Sequence, residues 1–271
     1  MRGLIPTALL TLAIFAIFAN AVGASGALGA PLQAPGAPAP EIRALIDRVT
    51  TAYGGRKALE KVRAYRVEGS VFSTMRHSDA PTIRVFARPA QLKVLIDYAN
   101  GAEARLVDGA KGWRNEAGGP LEPVTGPMYA AMVLQAARAG VPWVLYEHAA
   151  EATFTDSLTQ ADVRCVGIEL LLGEGLVLRA WIDPATHHVV RSQGLLEHGG
   201  MRTHFETVYA DFRAVDGVTF AFREENFASG RQTGLTTITK VVVNPPLRAN
   251  EFQPPDGVPP TPAPGAGRGG S

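Results

Sequence analysis

The chain has 271 residues, 46% of them hydrophobic, with 26 Lys and Arg against 25 Asp and Glu for a formal net charge of +1. That balance argues against a nucleic-acid partner, which would need a basic stripe. One cysteine, Cys165, excludes an internal disulfide, so the fold must be held by its core.

Residues 1–24 read as an export signal. Arg2 supplies the positive charge, Leu4 to Val22 is almost wholly apolar, and Val22-Gly23-Ala24 is a small-residue cleavage site. No cysteine follows it, so no lipid anchor is expected. A soluble, monomeric periplasmic protein of net charge 0 is the expected mature form, because Arg2 leaves with the signal. Residues 25–40, rich in Ala, Pro and Gly, read as a flexible leader. A single domain is expected over 41–255, and a disordered Pro/Gly-rich tail over 256–271.

A helix is predicted from Pro40, since Ile42, Leu45, Ile46, Val49 and Tyr53 form one apolar stripe. Gly54-Gly55 ends it in a manner suited to a left-handed cap. A short helical piece, Arg56 to Val62, buries Leu59 and Val62. Alternating strands follow. In Ala64 to Ser73, Tyr65, Val67, Gly69 and Val71 share a face; Ile83, Val85 and Ala87 alternate with Arg84, Phe86 and Arg88. Leu92, Val94, Ile96 and Tyr98 alternate with Lys93, Leu95 and Asp97. Such alternation marks antiparallel strands. Glu103 to Asp108 is another short strand, and the turn at Asp108-Gly109 leads to Trp113.

The middle breaks the pattern. Pro127 to Gly140 has two Ala-Ala pairs, Met128 and Met132, and no β-branched run, so a helix ended by Gly140 and Pro142 is predicted. Residues 142–152 read as a packed loop or short helix, which places a helical insertion near 127–146. Strands resume from Ala161: Val163 to Leu172, Leu176 to Asp183, His188 to Glu197, and Met201 to Phe212. The final strands turn at Asp216-Gly217 and Gly230 and stop at Asn244-Pro245. Ten or more strands at this spacing predict a mainly β protein built on one large antiparallel sheet that curls or closes.

Several pieces, taken in order, carry a family resemblance. They are Ala52-Tyr53-Gly54-Gly55 with Ala58-Leu59 and Val62; Val107-Asp108-Gly109 with Gly112-Trp113; and Trp181-Ile182-Asp183-Pro184 with Thr186. The last are Tyr209-Ala210-Asp211-Phe212-Arg213 with Val215-Asp216-Gly217-Val218, and Asn244-Pro245 ahead of Phe252-Gln253-Pro254. This order resembles the periplasmic outer-membrane lipoprotein-sorting (LolA/LolB-like) superfamily over nearly all of 41–255. The resemblance implies an incomplete, strongly curved antiparallel β-barrel with helices covering its open side. It also implies a partner that is a lipid or an acylated protein. The chain departs from the dedicated carrier in its middle insertion and its long tail.

An apolar hollow would be lined by Val67, Val71, Val85, Leu92, Val94, Ile96, Trp113, Met128, Met132, Trp143, Leu170, Leu172, Phe220 and Phe222. Burying about fourteen methylenes there gains roughly 11 kcal/mol gross, so no charged contact is required. The same faces would serve a closed core equally well. A sensor or scaffold for an envelope partner protein is the alternative, and a hydrolase the third reading. Histidines 187, 188, 198 and 204 match no metal spacing, and Glu147-His148 with Glu151 lacks the second histidine of a zinc-protease helix. Ser70, Ser73 and Ser192 have no recognisable base, and Glu224-Glu225 fall on opposite strand faces. The expectation is therefore a non-enzymatic protein with no cofactor and no metal.

Overall fold

The structure is a computed structural model that describes residues 40–116, 118–173 and 175–255. The signal, the leader up to residue 39 and the tail beyond 255 lie outside the described residues. The helix predicted from Pro40 begins there.

Two helices open the domain, α1 (Pro40–Ala52) and α2 (Arg56–Lys61). Strands β1 (Ala64–Ser73), β2 (Ser78–Ala87), β3 (Gln91–Tyr98), β4 (Gly101–Asp108), β5 (Lys111–Arg114) and β6 (Glu122–Val124) then step outward to one edge of a sheet. Helices α3 (Gly126–Ala139) and α4 (Trp143–Glu147) lead to the opposite edge strand, β7 (Thr153–Gln160). From there β8 (Val163–Gly173), β9 (Leu176–Ile182), β10 (Val189–His198), β11 (Met201–Val215), β12 (Val218–Ala228) and β13 (Arg231–Val243) step back. The two halves join where β13 pairs with β1. The result is one 13-stranded antiparallel sheet that curls without closing, with β6 and β7 as its edges. Among the described residues no helix is long and apolar enough to cross a membrane.

The main core lies on the concave face. Alternation aims Tyr65, Val67 and Val71 of β1, Leu92, Val94 and Ile96 of β3, Ile168 and Leu170 of β8, and Phe220 and Phe222 of β12 into it. Helices α1, α3 and α4 add Ile46, Val49, Met132, Trp143 and Leu145. The entry from α1 is tight. Gly54 has φ +113°, and a Cβ there would stand 2.0 Å from the carbonyl oxygen of Gly217. Thr219 N–H donates to the Tyr53 carbonyl at 3.2 Å, and Val189 N–H donates to the Tyr53 hydroxyl at 3.2 Å. The Tyr53-Gly54-Gly55 run thus pins α1 to the β11–β12 turn and to β10.

A second, smaller core lies on the convex face. Phe252 of the closing segment covers Ala64, Val85 and Ala87, with Ile83 beside them. Lys93 Nζ donates to Glu251 at 2.7 Å, and Gln253 Nε2 donates to Asp108 at 2.9 Å. Asn244, at φ 51°, accepts from Arg63 N–H at 2.7 Å and donates to the Lys61 carbonyl at 2.9 Å. The segment after β13 is therefore strapped across the outside of β1–β3.

Several elements differ from the sequence reading. Strands β5 and β6 were not expected, nor was β7, where strands were expected only from Ala161. The ambiguous stretch after Pro142 contains the five-residue helix α4.

Candidate functional site

The hollow is built by the concave face and roofed by α3 and α4. Its floor is aromatic. Trp143 of α4 stacks on Tyr65 with ring centroids 5.7 Å apart, and lies 6.4 Å from Phe86 and 6.1 Å from Phe220. Trp143 Nε1 donates to the Leu59 carbonyl at 3.0 Å, which fixes α4 against α2. Tyr65 donates to the Ala139 carbonyl at 2.7 Å, and Tyr209 donates to the Arg138 carbonyl at 3.1 Å. These two hydroxyls hold the last turn of α3 onto β1 and β11. Trp143 and its neighbours fill space that an open barrel would leave to a ligand.

Beside this aromatic plug is a polar chamber. A cavity of about 70 Å³ is bordered by Arg84, Arg138, Glu224, Tyr65, Tyr209 and Asn226 among others. That volume holds a handful of waters or one small polar group, well short of the roughly 300 Å³ at which pockets for drug-sized ligands begin. Arg84 makes a two-pronged ion pair with Glu224, at 2.8 Å and 2.6 Å. Burial lowers the Arg84 pKa more than any single neighbour raises it, but the charge and hydrogen bonds of Glu224, with Tyr65 and Tyr209 beside it, together hold the guanidinium above its ordinary value. Burial also pushes the Tyr65 hydroxyl up, and pushes Tyr209 up to about 12, so both phenols stay protonated donors. Arg138 differs. Burial lowers it to about 10, and its Nη1 is buried without a partner.

The predicted lining residues divide. Val67, Val71, Leu92, Val94, Ile96, Met132, Trp143, Leu170, Phe220 and Phe222 meet in the concave core, with Leu172 partly buried against it. Met128 stays on the rim, half-buried, with its sulfur accepting from Arg114 Nη1 at 2.8 Å. Val85 and Trp113 correct the expectation, because both face the convex side. Val85 lies under Phe252. Trp113 pairs with Leu106, which pairs with Lys93, all on the outward register. In β2 both faces are buried, so Arg84 and Phe86 take the inward positions that apolar alternation gave to Val85. The Arg84–Glu224 pair and Arg138 were missed as site residues. Glu224 was weighed only against its neighbour Glu225, although its cross-strand partner Tyr209 stood in the resemblance.

The histidines do not converge. His187 and His188 precede β10, and His198 ends it, so the strand separates them. His188 stacks on Phe212 with centroids 4.3 Å apart and supports Tyr53. His204 pairs with Glu206 at 3.3 Å. Among the described residues no group of three potential metal ligands forms. Cys165 is buried, and burial pushes its thiol up, as for a packed apolar side chain.

No family model matches the chain. No curated protein matches it either. Solved structures do. One is a domain from Vibrio parahaemolyticus assigned to outer membrane lipoprotein sorting, with TM-score 0.50 and 10% identity over 78% of this chain and 95% of that one. Another is a LolA superfamily protein from Nitrosomonas europaea, with TM-score 0.50 and 10% identity over 78% of this chain and 97% of that one. At that identity the likeness concerns the fold alone. The chain shares its fold with this lipoprotein-sorting domain and this LolA superfamily protein.

Proposed function

We propose that this protein binds a hydrophobic ligand, a lipid or the acyl part of a lipid-modified protein, in the cell envelope and without enzymatic chemistry. The observation that supports this is the roof. The apolar concave face is closed by α3 and α4, one connected segment between the two free edges of the sheet. A segment so placed can lift without unpairing any strand. Vacating Trp143, Leu145 and Met132 costs roughly 5–9 kcal/mol at ~1.5–3 kcal/mol per side chain. Fourteen methylenes return about 11 kcal/mol gross, so an acyl chain can compete with the protein's own plug. The likeness to a lipoprotein-sorting domain and a LolA superfamily protein points the same way, as does the export signal read in residues 1–24.

Native mass spectrometry of protein purified from envelope extracts, followed by lipid extraction, tests the reading. A co-purifying lipid and uptake of a fluorescent fatty acid are expected. Protein that is ligand-free and takes up no fatty acid overturns it. A second reading, a sensor or scaffold for a partner protein, is favoured by one observation. Phe72 and Met75 by the β1–β2 hairpin and Met201 at the β10–β11 hairpin are exposed. Partner capture that survives without lipid, and is lost when these three become Ser, would favour it.

A further inference from the structure

Arg138 is a partly buried cation without an ion-pair partner among the described residues, its ring neighbour being Phe205. A guanidinium carries five N–H donors, and among the described residues this one makes a single hydrogen bond, from Nε to Thr207 Oγ1 at 3.4 Å. Its Nη1 is enclosed without an acceptor, against Gly194, where a Cβ would stand only 3.0 Å away. The groups that could compensate it are engaged. Glu224 gives both oxygens to Arg84. Arg138 lies in the last turn of α3, whose dipole favours a cation, but the carbonyls of Arg138 and Ala139 are taken by the Tyr209 and Tyr65 hydroxyls. The charged groups bordering the cavity are thus one neutralised pair and one free positive charge. A water could accept from Arg138 but would leave the charge. A guanidinium nitrogen enclosed without an acceptor is costly, which suggests a ligand for it.

We propose that this chamber is a monoanion pocket that takes the carboxylate of a long-chain fatty acid, with the alkyl chain entering the space held by Trp143. The net charge of the lining matches one negative charge, and a guanidinium fork suits a planar carboxylate. Asn226 borders the same chamber. The inference rests on the hydrophobic-ligand reading for the chain, but the carboxylate site stands on its own geometry.

The test is titration calorimetry with palmitate, with hexadecanol, and with hexanoate as a short-chain control, on the wild type, Arg138→Gln and Arg138→Lys. Palmitate is expected to bind at least tenfold more tightly than hexadecanol in the wild type. Arg138→Gln should bring that ratio to about one, and Arg138→Lys should restore part of it. Because the ratio is internal to each variant, loss of folded protein does not mimic the result. Equal affinity for acid and alcohol in the wild type overturns the carboxylate pocket and leaves the apolar reading standing. Arg138-dependent binding of hexanoate with no binding of either long chain upholds the pocket and overturns the apolar reading. Binding of none of the three overturns both.

Discussion

Adjacent glycines in the α1–α2 turn do different work. Gly54, at φ +113°, has the Gly217 carbonyl oxygen 2.0 Å from where a Cβ would lie. Gly55, at φ +84°, has nothing within 4 Å of that position. Gly54→Ala must therefore pay left-handed strain and push the β11–β12 turn away, which also disturbs the Thr219–Tyr53 bond. Gly55→Ala pays strain alone. Urea unfolding should show a loss of about 3 kcal/mol or more for the first and about 1–2 kcal/mol for the second. Equal losses would mean that the close approach to Gly217 is unimportant. This pair was legible in the sequence as a helix stop. What it abuts was not, because Gly217 lies far along the chain.

At the scale of elements, periodicity served where one face is wet and failed where both faces are dry or both are wet. The strands from β8 to β13 were found nearly to their ends, with the clearest alternation in β12. Strand β7 reads Thr-Phe-Thr-Asp-Ser-Leu-Thr-Gln, polar on both faces at a free edge, and gave no signal. In β2 the outer face is dry only because Phe252 arrives to cover it, so Val85 was assigned to the wrong side. That strap makes its own prediction. Phe252→Ala should cost about 3 kcal/mol, at the low end for a buried phenylalanine. Burial raises the Glu251 carboxyl, but the Lys93 hydrogen bond and charge outweigh it and hold it below its ordinary value of 4.5. With the folded pKa depressed, the Glu251 contribution is complete above about 4.5 and fades as pH falls toward the folded value. NMR shifts of the Phe252 ring should accordingly move toward free-chain values on acidification below about 4.5, and this early step should be absent in Lys93→Met. An identical profile in that variant would assign the pH response to another group.

For the whole molecule, the question is whether the α3–α4 roof is a fixed part of the core or an exchangeable filling. The sequence left the two open because a liganded hollow and a closed core demand the same apolar faces. The structure is closed, yet the closing group is a single large side chain on a five-residue helix, Trp143, rather than a strand. Removing that group separates the cases. Trp143→Ala leaves a void against Tyr65, Phe86 and Phe220 and should cost about 3–5 kcal/mol by denaturant unfolding. If the plug competes with ligand, the same variant should bind a fluorescent fatty acid more tightly than the wild type, about tenfold, since the ligand no longer has to expel the indole. If the roof is only core, the stability falls and the affinity does not rise. The two readouts move in opposite directions under one reading and together under the other, so measuring both on one variant discriminates between them.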